Sequence, residues 1–289
     1  MAQSATTEAR QSHYAVPQPM PWPVMGSISL FCMALGAVFL FNGFPGGWVG
    51  IAGGVMLLVF MMTRWFGEVI GESEGGKYGR WEDASFRWGM SWFIFSEVMF
   101  FGAFFGALFW IRQISVPDLA TIESNELVWP GFSAHWPSGG PSYAEPFTPM
   151  AAWGIPAINT LLLLSSGVTV TIAHWALKEN KRQQLILWLA ATILLGFTFL
   201  GLQAYEYGHA YHELNLKLTS GAYGSTFFML TGFHGFHVFV GMLMLFFITL
   251  RIHKGHFTPQ RHFGFEGAAW YWHFVDVVWL GLYAVVYWL

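Results

Sequence analysis

The sequence contains one cysteine, Cys32. That excludes an internal disulfide framework, and it excludes an iron–sulfur or dinuclear copper centre held by this chain alone, since each needs at least two thiolates. Charge is scarce as well. Asp, Glu, Lys and Arg make up 10% of the 289 residues, against about a quarter in soluble domains. The net charge of −3 is small and says nothing useful about nucleic acid; no nucleic-acid partner is expected. The chain also lacks the order of a cleaved signal peptide. Residues 1–20 are polar, and the apolar run begins only after Pro21-Trp22-Pro23, so the N-terminus is expected to be retained. No P-loop, nucleophile elbow, HExxH or Cys-x-x-Cys-His occurs, so no catalytic constellation is expected.

What is abundant is apolar surface, at 55% hydrophobic residues. A spanning helix needs about 20 mostly apolar residues in a row. Seven segments meet that requirement: 24–43, 47–66, 88–111, 152–176, 184–206, 223–250 and 266–289. The tight Asn42-Gly43-Phe44-Pro45-Gly46 connection makes the first two a hairpin. The expected organisation is an N-terminal cytoplasmic segment 1–23, the hairpin 24–66, a cytoplasmic loop 67–87, and a five-helix bundle 88–289 with an outer loop 112–151. That outer loop is too long for a mere connector and reads as a docking surface for other subunits.

Lys and Arg set the orientation. With the N-terminus inside, 11 of the 13 basic residues are inside and only Arg112 and Lys217 outside. The C-terminus is then outside. Gly46, Gly50 and Gly54 in the second span, and Gly102 and Gly106 in the third, recur at the spacing that lets helix backbones approach. Trp270, Tyr271, Trp272, Tyr287 and Trp288 read as anchors at the membrane interface. No internal repeat or inverted pair of broken helices is evident, which weakens a transporter reading.

Ionisable groups at membrane depth are costly and are functional candidates by default. Glu97 lies deepest, in the run FIFSEVMFF of the third span. Two readings stay open: an acid held neutral or sharing a proton beside a cavity, or an acid hydrogen-bonded across a helix interface for packing alone. His234 and His237 share a face of the sixth span. His209 and His212 flank the outer end of the fifth, near Glu206 and Glu213, a turn that reads as hydrated. No metal site is expected, because a closed site needs three or four converging ligands. His273 and Asp276 are expected to pair with each other or with helix neighbours.

Several stretches resemble the cytochrome c oxidase subunit III family, part of the haem–copper terminal oxidases. They are GAYGSTFFMLTGFHGFHVFVG (221–241), HFGFEGAAWYWHFVDVVWL (262–280), FRWGMSWFIFSEVMFFGAFF (86–105), PAINTLLLLSSGVTVTIAHWAL, GLQAYEY and the opening HYAVPQPMPWPV. The resemblance covers essentially the whole chain, and its seven spans set it apart from the five-span quinol oxidase counterpart. It implies an all-α membrane fold in which helices one and two splay from helices three to seven around a V-shaped cleft that holds phospholipid. It implies a non-catalytic subunit that stabilises catalytic subunit I and supports proton uptake during oxygen reduction to water. It further implies no cofactor on this chain, haem and copper in partner subunits, and cytochrome c met only indirectly.

By that resemblance Glu97 matches the family's buried glutamate, His237 and Arg251 a pair beside a lipid headgroup, and Trp65, Phe66 and Glu72 further cleft positions. The chain departs at Gly67 and Gly71, where relatives carry arginines in W-W-R-D-V-I-R-E. Either Arg251 and a nearby base such as Arg64 grip the lipid, or its headgroup differs. A bacterial inner membrane, with the C-terminus periplasmic, is expected over a mitochondrial one. The rival expectation is a free-standing transporter or proton channel that uses Glu97.

Overall fold

The computed structural model describes residues 19–121, 125–143 and 145–288, so residues 1–18, most of the segment read as N-terminal and cytoplasmic, lie outside it. Among the described residues seven helices are long and apolar enough to cross a membrane. They are α1 (Trp22–Phe41), α2 (Gly47–Glu74), α3 (Arg80–Trp110), α4 (Ile155–Lys178), α5 (Arg182–His212), α6 (Gly221–His253) and α7 (Phe263–Leu282). No strand occurs among these residues beyond an isolated Thr258–Arg261 bridge. The fold is an all-α membrane fold, as lipid requires of a chain whose backbone groups must be satisfied within each span.

The stretch read as a loop, 67–87, is mostly helical. α2 continues to Glu74 and α3 begins at Arg80. Hydrophobicity marks where a helix meets lipid, but the backbone ladder continues through Glu68, Glu72 and Glu74, which are good helix formers. Tertiary contacts divide the chain into two units, the first ending at Phe86 and the second beginning at Arg87.

In the first unit α1 and α2 form the expected hairpin. Gly43, at φ +79°, takes the left-handed conformation that ends α1 while its N–H bonds Leu40. The helices then meet along Ser29, Gly36, Gly47, Gly50 and Gly54. A Cβ on Gly36 would sit 2.6 Å from the Gly47 carbonyl, and one on Gly54 would sit 2.8 Å from that of Ser29. The Ser29 hydroxyl donates to the Gly54 carbonyl at 2.7 Å in this dry seam. Gly50 and Gly54 thus meet α1 as expected, whereas Gly46 caps α2 with open space around it and Gly47 makes the contact in its place. Gly54→Leu is expected to force the hairpin apart, at about 1–3 kcal/mol, read as a lower melting temperature of the detergent-solubilised complex. An unchanged melting temperature would show that the seam does not hold the hairpin.

In the second unit α7 is the most enclosed helix, with 56% of its apolar window buried against 11% for each of α1, α2 and α3. Trp272 and Trp279, both fully buried, fill its contact with α4 and satisfy their indole N–H groups there. Trp272 donates to Ser166 and Trp279 to Thr160, each at 2.9 Å. Gly196 and Gly241 admit the Trp272 ring, since a Cβ on either would lie within 2.9 Å of it. Trp272 is thus core, not an interface anchor, and so are Tyr271 and Tyr287; of the five, Trp270 is partly exposed and Trp288 half-exposed. A Cβ on Gly102 or Gly106 would meet nothing within 4 Å, so among the described residues no helix packs closely on that small-residue face.

Two devices close the ends of the bundle. At one, Arg182 opens α5 and donates to the carbonyls of Ile252, Gly255, His256 and Phe257 at 2.9–3.2 Å. The Ile252 carbonyl belongs to the last turn of α6, where a helix leaves carbonyls unsatisfied, and the other three belong to the loop that follows it. At the other end, part of the stretch read as an outer docking loop folds onto its own chain. Trp136 and Phe147 pack on Tyr223, and the backbone bonds of Ala222 and Tyr223 reach Gly139 and Ser138. Gly221, at φ +64°, allows that approach; a side chain there would strike the Gly139 backbone.

Candidate functional site

Glu97 lies midway along α3 and His237 midway along α6. Neither has a charged neighbour within its own helix, so each must find its partner across the bundle or pay for isolation. The structure brings them together. His237 Nε2 and Glu97 Oε2 are 2.9 Å apart, with side-chain exposures of 10% and 21%. His237 Nδ1 faces the Phe233 carbonyl at 2.7 Å. A carbonyl only accepts, so Nδ1 carries the hydrogen, and a single proton is then shared across the Nε2–Oε2 contact. Whether it rests on the carboxyl or on the imidazole, the pair is neutral as a whole. That is how an acid is tolerated at this depth.

Aromatic rings enclose the imidazole: Phe101 at 4.9 Å, Phe100 at 5.8 Å, Phe236 at 6.0 Å and Tyr271 stacked at 6.4 Å between ring centroids. The surroundings are apolar and keep the shared proton from bulk water. His237 and Arg251, expected as one pair, stand 14 residues apart on α6, about 21 Å at 1.5 Å per residue. No single headgroup reaches both. Arg251 lies instead over the Phe257 ring, 4.2 Å from its centroid, with Nε 3.4 Å from His256 Nδ1.

The other expected positions lie on α2. Arg64 and Phe66 are exposed and Trp65 borders on it. Glu72 accepts from the Tyr78 hydroxyl at 2.6 Å and from Lys77 at 3.3 Å. Burial, and then the neighbouring carboxylate, push the Tyr78 phenol above its ordinary range, consistent with its role as donor. Trp22 donates to Glu68 at 2.7 Å. A recess of about 410 Å³ opens here, lined by Pro19, Met20, Pro21, Glu68, Gly71, Glu72 and Lys77. A Cβ on Gly67 or Gly71 would meet nothing within 4 Å among the described residues, and Gly71 lines the recess.

His273 and Asp276 lie 3.6 Å apart, as expected, with Thr171 3.2 Å from the other ring nitrogen of His273. Glu206 departs from the expectation of a hydrated turn. It is 1% exposed and accepts from Tyr287 at 2.7 Å. His209 and Glu213, paired at 3.1 Å, and the exposed His212 do lie at the surface. Its helix position gave no warning, because the covering residue comes from the far end of the chain.

Seven helices long and apolar enough to cross a membrane, with the Glu97–His237 contact between α3 and α6, define a multi-pass helical membrane protein. Residues 12–289 match the family model described as cytochrome c oxidase subunit III. Proteins named cytochrome c oxidase subunit 3 are similar over nearly their whole length. The one from Marchantia polymorpha is 41% identical over 271 residues, covering 93% of this chain and 94% of that protein. That from Arabidopsis thaliana is 38% identical, and that from Carassius auratus 41%, each over 282 residues, covering 97% of this chain and 98% of the relative. The chain belongs to the cytochrome c oxidase subunit III family.

Proposed function

We propose that this chain is a non-catalytic, supporting subunit of a cytochrome c oxidase complex, packed against catalytic subunit I. Partner subunits hold the haem and copper and reduce oxygen to water with electrons from cytochrome c, which this chain meets only indirectly. Its own part is to stabilise that core and to sustain proton uptake during turnover. The observation that carries the reading is the Glu97–His237 contact, 2.9 Å between a part-buried carboxyl group and a buried imidazole on two spans. It stores one proton without net charge and rigidifies α3 against α6 at mid-membrane depth.

The same reading includes phospholipid bound to this chain. Arg251 at the end of α6 suits a phosphate, as a planar guanidinium does. The roughly 21 Å from Arg251 up to His237 is of the order of one leaflet, so the acyl chains of that lipid would run toward the Glu97 pair. On α2 the recess beside Gly71 has two carboxylates and one ammonium, which suits a zwitterionic headgroup better than an anionic one. Arg64, Trp65 and Phe66 would line a lipid held on α2. The side rich in Lys and Arg is cytoplasmic in a bacterial inner membrane, with the C-terminus periplasmic; in a mitochondrial inner membrane it faces the matrix. A density map of the intact complex tests the arrangement. The expected result is phospholipid with its phosphate within hydrogen-bond reach of Arg251. Direct helix packing there, with no lipid, would overturn it.

A further inference from the structure

At the end of the bundle where α4 stops and α7 starts, three ligand-type side chains converge that no single stretch of sequence connects. His174 lies in the last turn but one of α4, His262 just before α7, and Glu266 in the first turn of α7. One ring nitrogen from each histidine and one carboxylate oxygen all lie within 4.8 Å of one another. Glu266 Oε1 is 3.3 Å from His262 Nε2 and 3.6 Å from His174 Nε2. Both separations exceed the ~2.7–3.2 Å of a hydrogen bond, and neither ring nitrogen has a hydrogen-bond partner among the described residues. They do match the edge of a coordination tetrahedron, roughly 3.3–3.6 Å for bonds of about 2.0–2.2 Å.

The orientation of His262 supports the same conclusion. Its side chain is 9% exposed, and Nδ1 lies 3.1 Å from the Thr258 carbonyl. Since that oxygen only accepts, Nδ1 carries the proton, and the Nε2 lone pair points at Glu266 and His174. A histidine locked by a backbone carbonyl on one nitrogen, with the other bare and buried, is how metal-binding imidazoles are prepared. Glu266 is oriented in turn, its second oxygen paired with Arg87 of α3. We propose that His174, His262 and Glu266 form a binding site for a first-row divalent cation, with zinc favoured by the two imidazoles and one carboxylate.

Three protein ligands leave a fourth position for water or a small anion. The positive charge of Arg87 beside the carboxylate places the site among exchangeable rather than tightly structural ones. The bound ion would tie the ends of α4 and α7 together beside α3, on the side of the membrane where basic residues concentrate.

The test uses the intact complex. After chelator treatment it is equilibrated with zinc, desalted and assayed for bound metal, and crystals soaked in zinc are measured at the zinc absorption edge. The wild type should show an anomalous peak about 2.0–2.2 Å from both Nε2 atoms and from Glu266 Oε1. His262→Asn and His174→Gln should each bind zinc at this site at least about tenfold more weakly. No peak in the wild type, or equal zinc in wild type and both variants, would overturn the proposal and leave a guanidinium–carboxylate pair beside two neutral imidazoles. Should a variant fail to assemble, the wild-type peak alone decides.

Discussion

Glu97→Leu is expected to destabilise the second unit by about 3–5 kcal/mol, because it leaves His237 buried without a partner for Nε2. His237→Leu should do comparable damage by stranding the carboxyl group. Replacing both should be nearly neutral, since the aromatic surroundings already suit apolar side chains. A double-mutant cycle on thermal unfolding of the complex in detergent measures this, and additive losses would show that the two groups do not act as a pair. The double variant also separates the two roles left open for Glu97. If it restores stability but the oxidase still inactivates sooner during turnover, the pair handles protons. If lifetime recovers with stability, the pair serves packing alone.

The second large effect is expected at Arg182. Its guanidinium donates four hydrogen bonds to carbonyls between Ile252 and Phe257, each worth about 1.5–3 kcal/mol where a charged donor is involved. They share one side chain, so we expect Arg182→Ala to cost about 3 kcal/mol rather than their sum. Arg182→Lys should recover little, because a point ammonium cannot span four acceptors. Hydrogen exchange over residues 250–258 is the sensitive measurement, with faster exchange expected in both variants. Unchanged exchange would mean that Arg182 does not hold the end of α6.

The spans were legible because lipid imposes a single requirement on every one of them, about 20 apolar residues with their backbone bonds closed. Their ends were less so: α2 runs on to Glu74 where hydrophobicity stops near 66, since helix propensity has no membrane boundary in it. Glu97 and His237 were each legible as costly, but the contact between them was not. A distance across 140 residues is set by how α3 and α6 pack, and nothing local encodes it. Matching depth within the spans was the usable signal, because an acid in lipid needs a partner at its own level.

The same limit hid the cluster at His174. The i,i+4 pair His262 and Glu266 was visible in the sequence, but the third ligand comes from α4. Trp272 and Glu206 failed in the opposite sense, each assigned to an interface by its place near a helix end and each buried by residues from elsewhere in the chain. On α2 the glycine spacing was right in kind and one residue off at its first position. The repeat 46–50–54 and the contacting set 47–50–54 are nearly degenerate on a helix of 3.6 residues per turn.

The central claim, that this chain sustains an oxidase without performing its chemistry, is tested most directly by removing it. Oxidase purified with and without the chain would be followed for oxygen consumption over many turnovers, with haem and copper content measured in both. The depleted complex should keep its haem and copper, begin turnover, and then lose activity several times faster than the complete one. Full initial activity together with an unchanged inactivation rate would contradict the supporting role, and loss of haem or copper with the chain would contradict the division of labour.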